Sequence, residues 1–259
     1  MSRTPGDLTS ARVRWGSQTL AIARREWASL FASPMAYIVL FVFVLVQGAT
    51  FRFHTILFDG DMDLVTASTF GGATFWLLWL LVPPLVTMRS FAEERRTGTF
   101  ELLVTTGVGD GPQILGKWLA AWGFLALLWG SVLPLFLLAE LHGSLDWGIV
   151  ASALVGVLLS NALLVSIGIF SSTLSQNQLV AAVVAFSLNL TIFLANQLRA
   201  LFPPSAIESR FFEYISIPYH FARDFCLGVV DLRTLILYLG LALALGFAAG
   251  KVLERRRWA

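Results

Sequence analysis

The chain has 259 residues, of which 57% are hydrophobic and 13% are charged. Soluble domains carry about 25% charged residues, so a water-soluble globule of this size could not bury so much apolar surface, and lipid must cover part of it. The net charge of +2 offers no general polyanion-binding surface, so nucleic acid is not an expected partner. One cysteine excludes an intramolecular disulfide, and three scattered histidines predict no metal site.

The first 34 residues form a basic, polar cytoplasmic segment, so no cleaved signal peptide is expected. Residues 15–33 predict an amphipathic helix that ends at Ser33-Pro34. Its predicted apolar face is formed by Leu20, Ala23, Trp27, Leu30 and Phe31. The residues predicted to lie mostly off that face are Arg24, Arg25 and Glu26. The helix either only anchors the N-terminus at the membrane surface or forms an interfacial elbow helix that contacts a partner protein. The second interpretation is favoured.

Six segments are apolar enough to cross a bilayer as helices, which takes about 17–25 residues. They are Met35–Phe53, Thr69–Met88, Trp118–Ala139, Gly148–Phe170, Leu179–Leu198 and Thr234–Gly250. Barrel strands are excluded because the runs are too long and lack period-two alternation. The predicted fold class is an all-α polytopic membrane protein with six transmembrane helices and an N-terminal interfacial helix. Its six-helix domain spans residues 35–250, followed by a basic tail at residues 251–259.

The distribution of lysine and arginine predicts that both termini are cytoplasmic. Of the 18 basic residues, 13 fall on the side that holds both termini and the second loop. They are Arg3, Arg12, Arg14, Arg24, Arg25, Arg89, Arg95, Arg96, Lys117, Lys251, Arg255, Arg256 and Arg257. On the opposite side, residues 199–233 mix aromatic residues with isolated charges and three prolines, which indicates an outer interfacial or re-entrant segment.

The second loop, residues 89–117, concentrates charge, glycine and threonine between two apolar spans. Gly111 to Lys117 match the first positions of a phosphate-binding loop, but Trp118 stands where a hydroxyl must hold magnesium, and no strand precedes the match. The chain is therefore expected to bind no ATP and no other cofactor itself. A short helix is predicted over Phe100–Thr105. Its leucines would be exposed without a partner, which favours a docking surface over a solvated charge run.

Polar side chains inside the spans are few. Asn189 and Asn196 share one helix face, as do Ser187 and Thr191. Hydrogen bonding between helices is their usual role, and the alternative is a translocation path lined by Asn161, Ser187, Asn189, Thr191 and Asn196. Asp, Glu, Lys and His are absent from the central part of every predicted span, which disfavours ion-driven transport. No cluster of acid, base and nucleophile is found, so no catalytic residue is predicted.

Residues 88–120, MRSFAEERRTGTFELLVTTGVGDGPQILGKWLA, closely resemble the signature region of permease subunits of the ABC-2 type transporter family. Within that family, the chain is most similar to the gliding-motility-associated ABC transporter permeases. The same branch is resembled by residues 31–37 (FASPMAY), 168–178 (GIFSSTLSQNQ) and 253–258 (LERRRW). The resemblance covers nearly the whole chain.

The resemblance implies a permease of the bacterial inner membrane that works with two cytoplasmic ATPase subunits, which bind ATP and magnesium. It also implies a second permease, identical or related, and it allows a periplasmic accessory protein. The loop after the second span would be the coupling helix that docks into the ATPase. Its polar contacts would be Glu93, Glu94, Arg95, Gly98, Thr99 and Glu101, and its apolar plug Leu102 and Leu103. Residues 171–178 would form a second, smaller contact.

The expected function is therefore that of an exporter subunit with no enzymatic activity of its own. A non-transporting scaffold driven by the same ATPases, for mechanotransmission or for assembly of a motility apparatus, is the alternative. The substrate, the direction of transport and the identity of the second permease stay open at this point.

Overall fold

The computed structural model describes residues 5–98, 109–141, 145–203 and 205–257, with side chains described from residue 15 to residue 255. Within these ranges the chain forms twelve α-helices, one 3₁₀ turn (Phe225–Leu227) and no β-strand. The helices are α1 (Pro5–Ala32), α2 (Pro34–Leu57), α3 (Met62–Gly71), α4 (Ala73–Thr87), α5 (Ala92–Arg96), α6 (Asp110–Gly130), α7 (Leu133–Glu140), α8 (Trp147–Leu174), α9 (Gln178–Arg199), α10 (Ile207–Ile215), α11 (Ile217–Arg223) and α12 (Leu232–Arg257).

Six stretches of the described chain are long and apolar enough to cross a membrane. They are α2, α3 to α5 taken together, α6 with α7, α8, α9, and α12 as far as Arg255. The predicted all-α, multi-pass membrane protein is therefore confirmed. Because composition alone decides which helices can span a bilayer, each predicted span overlaps one of these six stretches.

Several predicted boundaries differ from the observed ones. The second span begins at Met62 and not at Thr69, because the Asp61 side chain caps α3 by accepting hydrogen bonds from the Asp63 and Leu64 amides, at 3.1 and 3.2 Å. The fourth span continues to Leu174, so only residues 175–177 remain of the predicted turn at residues 171–178. The predicted tail is a helical continuation of α12 as far as Arg257. The break at Ser33-Pro34 is confirmed, since Ser33 caps α2.

Helix α8 is the centre of the bundle. Of its apolar stretch 72% is buried, compared with 22% for α2, 22% for α9 and 17% for α12. Small residues let neighbours approach α8 closely: a Cβ at Gly168 would collide with Thr87 of α4, and one at Gly156 would lie 2.6 Å from the Phe225 ring. The indole of Trp79 donates a hydrogen bond to Ser160 of α8 at 3.1 Å. The peripheral helices α2, α9 and α12 therefore present apolar surface to lipid or to a partner.

One end of the bundle, called the basic end below, collects the polar termini of several helices. Arg95 of α5 donates a hydrogen bond to the Thr173 carbonyl near the end of α8, at 2.8 Å. A Cβ at Gly250, late in α12, would lie 3.6 Å from Ile114, early in α6. Lys117 of α6 contacts α1 in the same region. Helix α1 and the C-terminal part of α12 therefore lie at the same end of the bundle.

At the opposite end, residues 205–233 fold back against the bundle. Ile217, Phe221 and Phe225 are fully buried, and the Ser152 hydroxyl of α8 donates to the Phe225 carbonyl at 2.9 Å. The segment therefore packs against α8, as its alternation of aromatic and charged residues allows. The hydrogen bond between His220 and Tyr238, at 2.9 Å, lies within this packed layer.

Candidate functional site

The candidate site lies at the basic end, where α1 packs along α6. Two glycines of α6 form a groove: a Cβ at Gly116 would lie 2.7 Å from Ile22, and one at Gly123 would lie 2.6 Å from the Trp27 ring. These glycines are seven residues apart, so they share one face of α6. Residue numbers rise together in both helices along the contact. Helix α1 therefore runs parallel to the first half of α6 and is packed against it.

The packed face of α1 differs from the predicted one. Thr19 and Ile22 are buried and Glu26 is half-buried on that face, whereas Leu20 is 68% exposed. Leu20, part of the predicted apolar face, is not on the packed face, whereas Glu26, predicted to lie mostly off the apolar face, is on it beside Lys117. The glycine groove of α6 and the charge of Lys117 select the face, and neither can be seen in the pattern of α1 alone. Leu30 and Phe31, which belong to the predicted apolar face, pack against the core.

Four charged side chains meet beside the contact between α1 and α6. They are Arg25, Glu26, Glu94 and Lys117, and we call them the Lys117 cluster. The Lys117 ammonium donates to Glu26 at 3.1 Å and to Glu94 at 2.8 Å. The Arg25 guanidinium donates to the same two carboxylate oxygens, at 2.7 and 3.3 Å. Two cations thus balance two anions, and the cluster joins α1, α5 and α6.

The electrostatics of the cluster depend on burial. The Lys117 side chain is 3% exposed, Glu94 is 15% and Glu26 22%, whereas Arg25 is 52% exposed. Burial disfavours the Glu26 carboxylate, but Lys117 and Arg25 outweigh burial and hold the pKa of Glu26 below its ordinary value. The Lys117 ammonium also lies 5.1 Å from the centre of the Phe91 ring. Removing Lys117 or Glu94 would leave an uncompensated charge that is largely shielded from water.

A second set of contacts ties α5 to α8. The Ser172 hydroxyl accepts hydrogen bonds from the amides of Phe91 at 2.9 Å and Ala92 at 3.0 Å. It also lies 3.3 Å from the Met88 carbonyl, to which it donates. With the bond from Arg95 to Thr173, these contacts bind the start of the second loop to the end of the central helix. The two predicted cytoplasmic contacts are therefore parts of one packed unit.

The predicted coupling residues fall into two groups. Among those described, Glu94 lies in the Lys117 cluster, Arg95 bonds to α8, Glu93 is half-buried, and Gly98 is exposed with φ of +72°, a left-handed conformation that suits glycine just after a helix. Thr99, Glu101, Leu102 and Leu103, with the rest of the predicted helix at residues 100–105, lie outside the described residues. Docking to an ATPase stays a prediction.

Sequence reasoning missed Lys117 and Glu26 as members of this site, whereas Ser172 lies within residues 171–178, the predicted second contact. A signal for Lys117 was available, because a lysine in the first turns of a membrane span requires a counter-ion nearby. The matching carboxylates lie 91 and 23 residues away in sequence, so only the fold pairs them.

The predicted translocation-path residues are not brought together on one surface. Asn161 and Asn189 are buried, and their side-chain atoms have no hydrogen-bond partner among the described residues. Ser187 and Thr191 are exposed on α9 and bond to carbonyls of their own helix, at 2.8 and 2.9 Å. Asn196 is half-buried. Two of the five therefore face the interior of the bundle, and two face its outside.

Comparison with known proteins gives no relative: no protein-family model matches the chain, and no curated protein matches it. Among the described residues, no group of three or more His, Cys, Asp or Glu side chains could hold a metal ion. The function is therefore inferred from the residues of the chain and their geometry.

Proposed function

We propose that the chain is the membrane-spanning permease subunit of an ABC-2 type exporter in a bacterial inner membrane. Separate cytoplasmic ATPase subunits would hydrolyse ATP, and a second permease, identical or related, would complete the membrane domain. This chain would bind neither ATP nor magnesium. The single observation that carries the proposal is the Lys117 cluster, which binds both ends of the second loop to the amphipathic helix.

The cluster supports a role in transmitting force. The loop leaves the second span at α5 and returns at α6, and Glu94 and Lys117 join these two ends at 2.8 Å. Glu26 adds α1 to the same unit, and Arg95 adds α8. A load applied to the loop would therefore reach four helices together. Replacing a buried ion pair by apolar residues is often neutral or stabilising, so we infer that this cluster serves specific positioning more than stability.

In the proposed mechanism, residues 98–103 dock into a groove of the ATPase, with Glu101 as a polar contact and Leu102 and Leu103 as the apolar plug. Closure of two ATPase subunits around ATP pushes on the loop. The second and fifth spans then rock between inward-open and outward-open states, which differ in their contacts with the loop. ATP shifts the equilibrium only because the ATPase binds the two states with different affinity.

The docking step is tested by purifying the tagged full-length chain from its native host and measuring how much ATP-hydrolysing subunit accompanies it. The variant Glu101→Lys reverses a charge at the predicted contact, and we expect recovery and ATPase stimulation to fall at least about tenfold. Glu208→Lys, an exposed residue at the opposite end, is the matched control. Normal recovery with normal stimulation in Glu101→Lys contradicts the docking site.

Glu94→Lys is unsuitable for this purpose, although Glu94 belongs to the predicted contact. It would place a second ammonium beside the buried Lys117 and disturb the fold itself.

A second experiment separates an exporter from a scaffold. A cysteine is introduced at the buried position Asn189 in a Cys226→Ser background, and its reaction with a water-soluble thiol reagent is followed in the reconstituted complex. For an exporter, the labelling rate should change when ATP is added, because a path opens to water. A rate that is the same with and without ATP supports the scaffold.

A further inference from the structure

The Lys117 cluster forms one wall of a cavity of about 680 Å³ at the basic end of the bundle. The cavity lies between α1, α2, α4, α5 and α6. It falls within the range of about 300–1,000 Å³ that is usual for ligand sites. Its polar wall includes Arg25, Glu26, Arg89, Glu93, Glu94 and Lys117, and its apolar wall includes Leu30, Val39, Leu85, Val86, Ala121 and Phe124.

The two walls lie at different depths in the bundle. Phe124 follows Lys117 by seven residues along α6, and a helix rises about 1.5 Å per residue, so it lies about 10 Å nearer the middle of that span. Val39 lies five residues inside α2 from its first residue, Pro34. The apolar wall therefore lies deeper along the spans than the charged wall, so a surrounding bilayer would have its headgroups nearer the charged wall. The cavity is polar towards the end of the bundle and apolar towards its middle, which is also the arrangement of a phospholipid in a bilayer.

The charges of the cavity specify the ligand further. Its wall carries three cations and three carboxylates, and the Lys117 cluster pairs two of each. The remaining two charged groups are Arg89, which is exposed, and Glu93, which is half-buried. Neither forms an ion pair with any side chain in the part of the chain that the structure describes. One cation and one anion of the cavity wall are thus available to a ligand. A ligand that carries both a negative and a positive charge would pair with them.

We propose that this cavity binds one phospholipid with an ethanolamine headgroup. The Arg89 guanidinium, with the exposed Arg25 of the Lys117 cluster, would bind the phosphate, because the planar fork of arginine suits phosphate oxygens. Glu93 would accept hydrogen bonds from the primary ammonium. The glycerol and the first methylenes would lie against Leu85 and Phe124, and the acyl chains continue into the bilayer.

The apolar wall distinguishes a lipid from a water-soluble phosphate compound. A free metabolite would leave the half-buried Val39 and the exposed Leu85 in contact with water, which is unfavourable by about 25 cal/mol per Å² of apolar surface. A bound lipid covers that surface and keeps water from Lys117, which is 3% exposed. The lipid site does not require the ATPase, so it can be measured on the full chain alone, and its failure would leave the proposed function untouched.

The test uses the purified, delipidated full-length chain in detergent, with bound lipids counted by native mass spectrometry. The probes are dioleoyl phosphatidylethanolamine, phosphatidylcholine and phosphatidylglycerol, and phosphoethanolamine as the free headgroup. We expect one phosphatidylethanolamine to bind at least about tenfold more tightly than either other lipid, because a quaternary ammonium has no N–H for Glu93 and glycerol has no charge. Equal affinity for the three lipids would overturn the proposal, and so would equally tight binding of phosphoethanolamine.

Two variants test the assigned residues. Arg89→Gln and Glu93→Gln should each lower the affinity for phosphatidylethanolamine about tenfold. Their matched controls are Arg96→Gln and Glu208→Gln, at exposed positions outside the cavity wall, which should bind the lipid like the wild type. Unchanged affinity in both test variants contradicts the site.

Ser29→Trp gives an independent test if those variants fold poorly. Ser29 is an exposed residue of the cavity wall, so tryptophan there should fill the mouth without disturbing the Lys117 cluster. We expect loss of the bound lipid, with an unfolding temperature that equals that of the wild type when both are delipidated. Retention of the full lipid stoichiometry in Ser29→Trp would overturn the proposal.

Discussion

Replacing Lys117 by methionine tests whether the Lys117 cluster holds α1, α5 and α6 together. Methionine keeps most of the length and the apolar stem of the side chain and removes its charge and its hydrogen-bond donors. The Glu26 and Glu94 carboxylates, 22% and 15% exposed, would then face each other with Arg25 alone to balance them. Breaking a buried ion pair costs about 3–5 kcal/mol. Because Arg25 is 52% exposed and remains in place, we expect the lower limit, about 3 kcal/mol.

The expected loss appears as a lower unfolding temperature in detergent. One kcal/mol corresponds to about 2–4 °C for a chain of this size, so Lys117→Met should unfold about 6–12 °C below the wild type. The chain carries its own reporter for the assay. Its single cysteine, Cys226, is buried, and burial raises the pKa of its thiol to about 11, so a thiol-reactive dye labels it only on unfolding.

Two comparison variants make the result specific. Lys251→Met removes a cation whose partner Glu254 is 53% exposed, and such surface pairs contribute about 0–1 kcal/mol. The triple variant Lys117→Met, Glu26→Gln, Glu94→Gln has no buried carboxylate left and should recover most of the lost stability. The reasoning is refuted if Lys117→Met unfolds within about 2 °C of the wild type, or if the triple variant is no more stable than the single one.

Three further outcomes are expected. Gly116→Ala should lower stability by about 1–3 kcal/mol through overpacking against α1. Gly240→Ala, whose added Cβ meets nothing within 4 Å, should be neutral or slightly stabilising. Equal unfolding temperatures in these two variants would contradict the groove. Folding lowers the pKa of Glu26, so the Glu26 carboxylate stabilises the fold above its ordinary pKa of 4.5, and this stabilisation is lost as the pH falls below that value. The wild type should therefore lose more stability than Glu26→Gln between pH 5 and pH 3. Equal losses in the two proteins would argue against the pairing of Glu26 with Lys117 and Arg25. Ser152→Ala should cost about 1 kcal/mol and speed proteolysis between residues 200 and 230, because it removes the hydrogen bond to the 3₁₀ turn; an unchanged cleavage rate would show that this bond does not hold the segment.

Hydrophobicity and charge made the six spans predictable, because bilayer thickness and the cost of burying charge act on composition alone. The same rules explain where the boundaries were wrong. The second span was extended by the Asp61 cap and the fourth by the last turn of α8, and caps and polar final turns carry little hydropathy signal.

The packed face of α1 could not be predicted from its own periodicity. Leu20 was predicted to lie on the apolar face and is 68% exposed, while Glu26 was predicted to lie mostly off that face and is half-buried beside Lys117. Which face of an amphipathic helix is buried depends on the surface that receives it. Here that surface is the groove of Gly116 and Gly123, which lies about 90 residues further along the chain.

By itself the sequence determined the helical class, the number of spans and the concentration of charge in the second loop, since each depends on residue type and local spacing. Only the tertiary structure decided that the loop begins and ends at one ion cluster, that Arg95 and Ser172 bind it to the central helix, and that a cavity lies alongside. The physical reason is the distance along the chain over which each effect acts. Hydropathy acts residue by residue, whereas Lys117 meets Glu26 across 91 positions only after α1 has packed into the glycine groove of α6.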